Sequence, residues 1–458
     1  MKYTLPISQL DWQKTPEKCK NLVKSLLEER ESLVTKQEKI YDDHLKTINS
    51  LAELSRKQKV KANQVVLVTD APIARDGKMA YGLWKAGWEV ILIHGNAIPP
   101  TFDASRYCSR IYKYASIWEA FNLASSFNPL IYHVSTKMNY DLAELLVRFK
   151  PGKIIIDSYD GLQGMLKEEV LVKNGMLPQL EKEKFCWENA DGLCCRHIES
   201  QFAKKKLGLK FRGKRILFLD CGWGNEIHSS VRREGDQKLA DSRTSYGKKR
   251  EMHIVYPGNI PLTHDSMFQL WLADRFREEK IHYHIYPPPL LLSVVNAQHG
   301  LTFESAFKSY IEHSSENPYF HFHRPIPAEQ VVSEISQYNF GISVSSRDFK
   351  GINSSLNVDN DYTEYKDYHA IASKIFDYFE AGLPILIHSK GKFARFIASR
   401  YNGAVEATED VIFNKGHLLE IEEEIKANAV ISSQKYAISA HIPRLIKFYE
   451  TIVANTSI

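Results

Sequence analysis

Between residues 16 and 60 apolar side chains recur at Leu26, Leu33, Ile40, Leu45, Ile48, Leu51 and Leu54, set among Lys, Glu and Gln with no Gly. This spacing predicts a long helix with a thin apolar stripe. Such a stripe suits a helix or hairpin lying on the next domain, or a short coiled coil through which two copies form a homodimer. The broken heptad favours the first.

After residue 60 the period changes. QVVLVTD (64–70), WEVILIHG (88–95), PLIYHVS (129–135) and KIIIDSYD (153–160) are strand-like apolar runs, with helical stretches at Met79–Lys85 and DLAELLVRF (141–149) between them. Strands that alternate with helices and carry unbroken apolar runs predict a parallel sheet covered on both faces. The segment from Arg232 to Arg250 is charged, poor in large apolar residues and aperiodic, as expected of a surface loop near a domain boundary. Alternation then resumes with MHIVYPG (252–258), a helix over Met267–Glu279, HYHIYP (282–287), YFHFHRP (319–325), a helix over Glu329–Gln337, FGISVS (340–345), a helix over His369–Ala381 and PILIHS (384–389). The expected organisation is an N-terminal helical extension (1–60) and two doubly wound α/β domains, 61–245 and 246–458. Ligands of such sheets bind beyond the carboxyl ends of the strands, which places a site in the cleft between the two halves.

Composition changes this picture little. With 458 residues, 43% hydrophobic and 25% charged, the chain reads as globular and long enough for two cores. A net charge of +5 is too small to indicate a nucleic-acid partner. Neither a signal peptide nor a membrane-spanning run is visible, so a cytoplasmic location is expected. The basic stretches KKKLGLKFRGKR (204–215) and GKKR (247–250) are compatible with peripheral contact to anionic lipid or with solvated loops. Six irregularly spaced cysteines imply free thiols in a reducing compartment.

The densest chemistry lies in SKIFDYFEAGLPILI (373–387). On a helix over His369–Ala381, Ile371, Ile375, Phe376 and Phe379 form an apolar face, and Lys374, Asp377 and Ala381 form another. Gly382 ends the helix and Pro384 forbids its continuation. The helix N-terminus with Lys374 suits a phosphate, and Asp377 one turn on suits the two hydroxyls of a ribose. Spacing alone is satisfied equally by an amphipathic helix with a solvated Lys374–Asp377 pair.

This stretch closely resembles the K-[LI]-F-[ED]-Y-x-A-x-G-x-P-[VI]-[IL] signature of nucleotide-sugar-dependent glycosyltransferases with the GT-B fold, in particular the glycosyltransferase 4-like group. The resemblance implies two Rossmann-like domains facing a cleft. It also implies that Asp377 binds the nucleotide ribose and that Lys374 and Ser373 face the diphosphate. Glu380 stands where the family usually has a small or neutral residue. IVYPGNI (254–260) is similar to the first strand and glycine turn of the family's donor domain, which places Gly258 near the donor phosphates. HFHRPIPAEQVVSEISQYNFGISVSS resembles the passage that places His323 near the base. PLIYHVST with KIIIDSYDGL, and ENADGLCC (188–195), resemble acceptor-domain patterns, and the likeness spans roughly residues 62–450. Three positions depart from the family: the first loop offers only Gly77, His369 stands where an acid is usual, and Ser135 replaces a second histidine.

Glycosyl transfer requires the leaving diphosphate to be neutralised, here by Lys374, helix amides and Arg347, and an acceptor hydroxyl held beside the anomeric carbon. At the predicted strand ends of the first domain His133 and Asp160 are the candidate catalytic residues. A hydrogen-bonded core histidine and a turn-forming aspartate are the structural alternatives. Cys186 with Cys194-Cys195-Arg196-His197 matches no paired zinc spacing, and His282/His284 and His321/His323 place each pair on one strand face. Asp359-Asn360-Asp361 imitates a metal-binding D-x-D, but the resemblance implies no required metal and no cofactor beyond the nucleoside diphosphate sugar. The expected activity is a hexosyltransferase acting in polysaccharide, lipid-linked glycan or glycoconjugate synthesis on an unknown acceptor. The alternative is an inactive GT-B-like assembly module whose N-terminal helix is its partner surface. An NAD-linked oxidoreductase is disfavoured, since no G-x-G-x-x-G follows a strand.

Overall fold

A computed structural model describes residues 17–454 except 58, 138, 160, 163–165, 198–200, 202–203, 206–207, 225–250, 261–263, 290, 294–295, 297–299, 347–348, 350–369 and 389–390. Two parallel sheets organise it. The first contains β1 (Lys61–Thr69), β2 (Glu89–Gly95), β3 (Arg110–Tyr114), β4 (Pro129–Thr136), β5 (Ile154–Ser158), β6 (Gly192–Cys195) and β7 (Lys214–Leu217), in the order β3-β2-β1-β4-β5-β6-β7. Val65 to Val68 of β1 are all buried because both faces of the sheet are covered. One face packs on helices Ile117–Ser125, Asp141–Phe149 and Leu177–Asn189. The other packs on Ala74–Lys85 and on the final helix Ile438–Ala454, which crosses back from the carboxyl end of the chain.

The second sheet contains β8 (Met252–Pro257), β9 (Ile281–Tyr286), β10 (Phe320–Phe322), β11 (Phe340–Ser343), β12 (Ile385–Ile387) and β13 (Ala404–Glu406), in the order β10-β9-β8-β11-β12-β13. Both orders reverse beside their first strand, the position at which sheets of this kind form a ligand crevice at their carboxyl ends. Strands β3, β6, β7 and β13 are absent from the sequence expectation. They are three to five residues long, RIYKY alternates apolar residues with cations and KRIL opens on two cations, so no long apolar run marks them.

The N-terminal helix runs from Glu17 to Lys57. Its last turns dock: Ile48 and Ala52 join the first core, Ser55 Oγ donates to the Phe127 carbonyl, and Arg56 Nη1 donates to the carbonyls of Phe149 and Lys150. Its earlier apolar residues Leu22, Leu26, Leu33 and Ile40 are exposed. Among the described residues no helix is long and apolar enough to cross a membrane. All six cysteines are free thiols, five of them buried.

Candidate active site in the interdomain cleft

The site is built on a helix shorter than its sequence suggests. It runs Lys374–Glu380, and residues 370–372 are not helical. Its end is fixed by Gly382, which takes φ +72° so that the Leu383 N–H reaches back to the Tyr378 carbonyl at 2.8 Å. Ile375, Phe376 and Phe379 are buried in the core of the second domain. Tyr378 lies against Gly341 of β11, where a Cβ would come within 2.3 Å of the ring, and its hydroxyl donates to the carbonyls of Ile342 and Val255 at 2.8 and 3.1 Å. This hydroxyl bridges the two strands at the switch point, and the opposite face of the helix, with Lys374 and Asp377, therefore looks into the crevice.

Lys374 Nζ lies 3.8 Å from the centre of the Tyr256 ring and 3.4 Å from where a Cβ on Gly258 would stand. Among the described residues no carboxylate pairs with it. The cation, the bare Gly258 backbone and the carboxyl end of β8 thus converge on one spot. Asp377, 19% exposed, accepts a 2.6 Å hydrogen bond from Lys78 Nζ of the Ala74–Lys85 helix in the other domain. Burial would lower the pKa of Lys78, but the Asp377 carboxylate, with Glu380 and Asp220, holds it above the ordinary lysine range.

Glu380 faces the same gap one turn deeper. Its carboxylate accepts from the backbone N–H groups of Trp223 and Gly224, both at 2.6 Å, and it is 3% exposed. Burial pushes its pKa up to about 7 against the pull of Lys78 and those two N–H groups. Behind it lies a buried ionic cluster in the first domain. Arg75 makes a bidentate pair with Asp157 at 2.9 Å and reaches Asp220 at 2.8 Å, and Arg196 pairs with Asp220 at 2.7 Å. Although burial would raise the pKa of both aspartates, the guanidinium groups hold them below the usual carboxylate range. The cluster also extends across the gap: Arg196 Nη2 donates to the Ile371 carbonyl, and the Ile371 N–H donates to His197 Nδ1. The pair Arg196-His197 thereby anchors the chain just ahead of Lys374.

Two parallel-sheet domains joined in this way have counterparts among solved structures. Sucrose-phosphate synthase from Thermosynechococcus elongatus superposes with a TM-score of 0.56 at 13% identity, over 86% of this chain and 100% of that one. A glycosyltransferase from Rickettsia africae ESF-5 gives 0.55 at 10% identity, with the same coverage of both chains. The catalytic domain of starch synthase IV from Arabidopsis thaliana, bound to ADP and acarbose, likewise gives 0.55 at 10%, again over 86% and 100%. This is the GT-B fold. No family model matches the sequence, and no curated protein matches it significantly.

Within the GT-B frame the residues singled out from sequence divide into groups. Gly258, Lys374, Asp377 and Glu380 meet at the cleft, with Ser373 at the start of the helix, where its side chain caps no backbone N–H. His323 directly follows β10, stacks on Tyr286 at 4.2 Å and joins His284 Nδ1 at 3.0 Å. It is the cleft-side end of a file of five histidines on one face of the second sheet. His133 does not line the cleft. It is 1% exposed, with Nε2 3.2 Å from Asp157 and Nδ1 2.8 Å from the Tyr449 hydroxyl of the final helix, so it is a core residue of the ionic cluster rather than a contact for an acceptor. Asp157 is already held by Arg75, which also argues against a metal between His133, Asp157 and Cys194. Asp160, Arg347, His369 and the Asp359-Asn360-Asp361 run lie outside the described residues, as does GKKR at 247–250.

Sequence reasoning missed Lys78, Arg75, Asp220 and the Trp223-Gly224 turn. The available signal was Arg75, Asp76 and Lys78 in a segment whose other residues are small or apolar. All three charges prove buried. Lys137 closes the first loop, donating to Thr69 Oγ1 at 3.0 Å and to the Ala71 carbonyl.

Proposed function

We propose that this chain is a glycosyltransferase of the hexosyltransferase type, moving a sugar from a nucleoside diphosphate sugar to a hydroxyl of a glycan, lipid-linked or other carbohydrate acceptor in polysaccharide or glycoconjugate synthesis. The observation that carries the reading is the placement of Lys374 and Asp377 on one face of a short helix at the switch point, with Gly258 beneath the ammonium. A diphosphate seated on the Gly258 backbone would meet a cation with which no carboxylate among the described residues pairs, and the ribose beyond it would reach Asp377. Lys78 stands across the gap as a second cation within reach of the same ligand, and Arg347 is its proposed counterpart from the following loop. The base would lie toward His323. Transfer is proposed to run without a metal, the leaving charge being met by lysine. The bond to the leaving phosphate breaks as the acceptor oxygen attacks the anomeric carbon, and the acceptor proton passes to a base. Asp160 remains the proposed candidate for that role.

The exposed stripe of Leu22, Leu26, Leu33 and Ile40 is proposed as the contact for a second copy. Lys204, Lys205 and Lys210 are the proposed contact with anionic lipid should the acceptor be lipid-linked.

Thermal shift against a panel of nucleoside diphosphate sugars tests the donor site. One donor is expected to stabilise the protein, by about 2.7 kcal/mol at a hundred times its dissociation constant. Asp377→Ala and Lys374→Ala should each remove that gain, and Asp377→Ala should also lower the melting point of the free protein, because it leaves the buried Lys78 ammonium without its partner. If no donor binds, or binding survives Asp377→Ala unchanged, the proposal fails.

A further inference from the structure

The file of histidines ends, away from the cleft, in a set of atoms the transferase reading does not use. At the amino-terminal edge of the second sheet, His253 of β8 and His282 of β9 are register neighbours whose rings stack at 4.5 Å. Their Nε2 atoms lie 3.7 and 3.8 Å from the same carboxylate oxygen, Oε2 of Glu251, and the three ligand atoms all fall within 4.8 Å of one another. The side chains are 30%, 16% and 40% exposed, so solvent and an ion can reach them.

The second observation is how the two rings are held from behind. His253 Nδ1 is 2.9 Å from His284 Nε2, and His282 Nδ1 is 2.9 Å from His321 Nε2. His284 Nδ1 in turn meets His323 Nε2 at 3.0 Å. Donation in either sense satisfies all three contacts; the sense in which each Nδ1–H donates to the Nε2 of the next ring is the one that leaves the Nε2 lone pairs of His253 and His282 free for an ion beside Glu251. A second ring that fixes the tautomer and orientation of a ligating imidazole is the outer shell characteristic of metal sites.

We propose that Glu251, His253 and His282 bind a divalent first-row transition ion of the zinc class, through two imidazole nitrogens and one carboxylate oxygen, with water completing the shell. Ligand atoms around a tetrahedral ion with bonds of about 2.1 Å lie about 3.4 Å apart, so closing the triad requires Glu251 to approach from 3.7 and 3.8 Å and the two rings, stacked 11° from parallel, to tilt toward each other. The donor set of two imidazoles and a carboxylate suits this class of ion better than a hard cation such as calcium. The cation at this edge, Lys415, is tied to the Lys280 carbonyl at 3.3 Å. The site lies at the opposite end of the strands from Gly258 and Lys374, so its role is to clamp β8 to β9, not to take part in transfer.

The test uses the full chain stripped with chelator and titrated with Co2+, read by visible absorption, with Zn2+ competition and metal content measured after dialysis. One equivalent is expected to bind, displaced by Zn2+. Glu251→Gln should weaken binding at least tenfold, and the His253→Gln, His282→Gln double variant should abolish it. His321→Gln, which leaves all three ligands but removes the support behind His282, should fall between. Circular dichroism checks that each variant is folded. The proposal is overturned if the stripped wild type takes up no stoichiometric ion, or if the folded double variant binds as the wild type does. Because the readout is metal binding, failure here leaves the donor-site proposal untouched, and the reverse also holds.

Discussion

Glu380 is a carboxyl group whose charge is needed at one pH and unwelcome at another. It is buried beneath the Trp223-Gly224 turn with an ordinary pKa of 4.5 raised to about 7. Between those values the folded protein keeps a proton that the unfolded chain has released. Stability from this group is therefore complete below pH 4.5, declines as pH rises, and is lost above about 7. At 1.36 kcal/mol per pKa unit the effect is at most roughly 3 kcal/mol. Urea unfolding of wild type and Glu380→Gln at pH 5, 6, 7 and 8 should show a falling wild-type stability and a flatter variant. Parallel curves would mean that the group is not titrating in this window. The family signature places a small or neutral residue here. In this chain the acid instead holds the interdomain segment by two backbone hydrogen bonds, a role visible only once residues 223 and 380 are seen together.

At the scale of elements, the long N-terminal helix is two objects. From Tyr41 onward it packs on the first domain, with Tyr41 and His44 against Trp118 and Ile48 and Ala52 in the core, and before that it carries leucines to solvent. An exposed apolar stripe of this length invites a helical partner. Light scattering at micromolar concentration should find a dimer, and Leu26→Glu with Leu33→Glu should convert it to a monomer of unchanged melting temperature. A monomeric wild type would remove the homodimer from consideration.

The same scale shows why some elements could be read from sequence. β1, β2, β4, β5, β8 and β9 announce themselves as runs of Val, Ile, Leu and aromatics because central parallel strands are buried on both faces. Edge strands such as RIYKY of β3 and short ones such as GLCC of β6 carry no such run. At the site, Lys374, Asp377, Gly258 and Gly382 were legible because they lie in one local motif or turn. Arg75 meets Asp157 and Asp220, 82 and 145 positions away, and Lys78 meets Asp377, 299 positions away, and no local pattern records such pairings. His133 misleads for the converse reason: a histidine near a strand end reads the same whether the final helix covers it or not.

The whole molecule depends on its last helix. Ile438, Ile442, Leu445, Phe448, Tyr449 and Ile452 are all buried against the first domain, although they follow the second in sequence. Burying side chains of this kind contributes about 1.5–3 kcal/mol each, which for this set is comparable with the entire stability of a domain, about 5–15 kcal/mol. A chain ending at residue 435 should therefore lose cooperative unfolding of its first domain, seen by calorimetry as a missing or broadened transition. A truncated chain that melts as the full one does would show that the helix is dispensable.

The chain passes between its halves twice, and the two passages are stitched together: the Gly222 N–H donates to the Tyr436 carbonyl and the Ile438 N–H to the Gly222 carbonyl. A door hung on two adjacent pins swings about the line through both and resists being wrung or slid. Opening and shutting should therefore follow a single arc, and each swing would part Lys78 from Asp377 or bring them together.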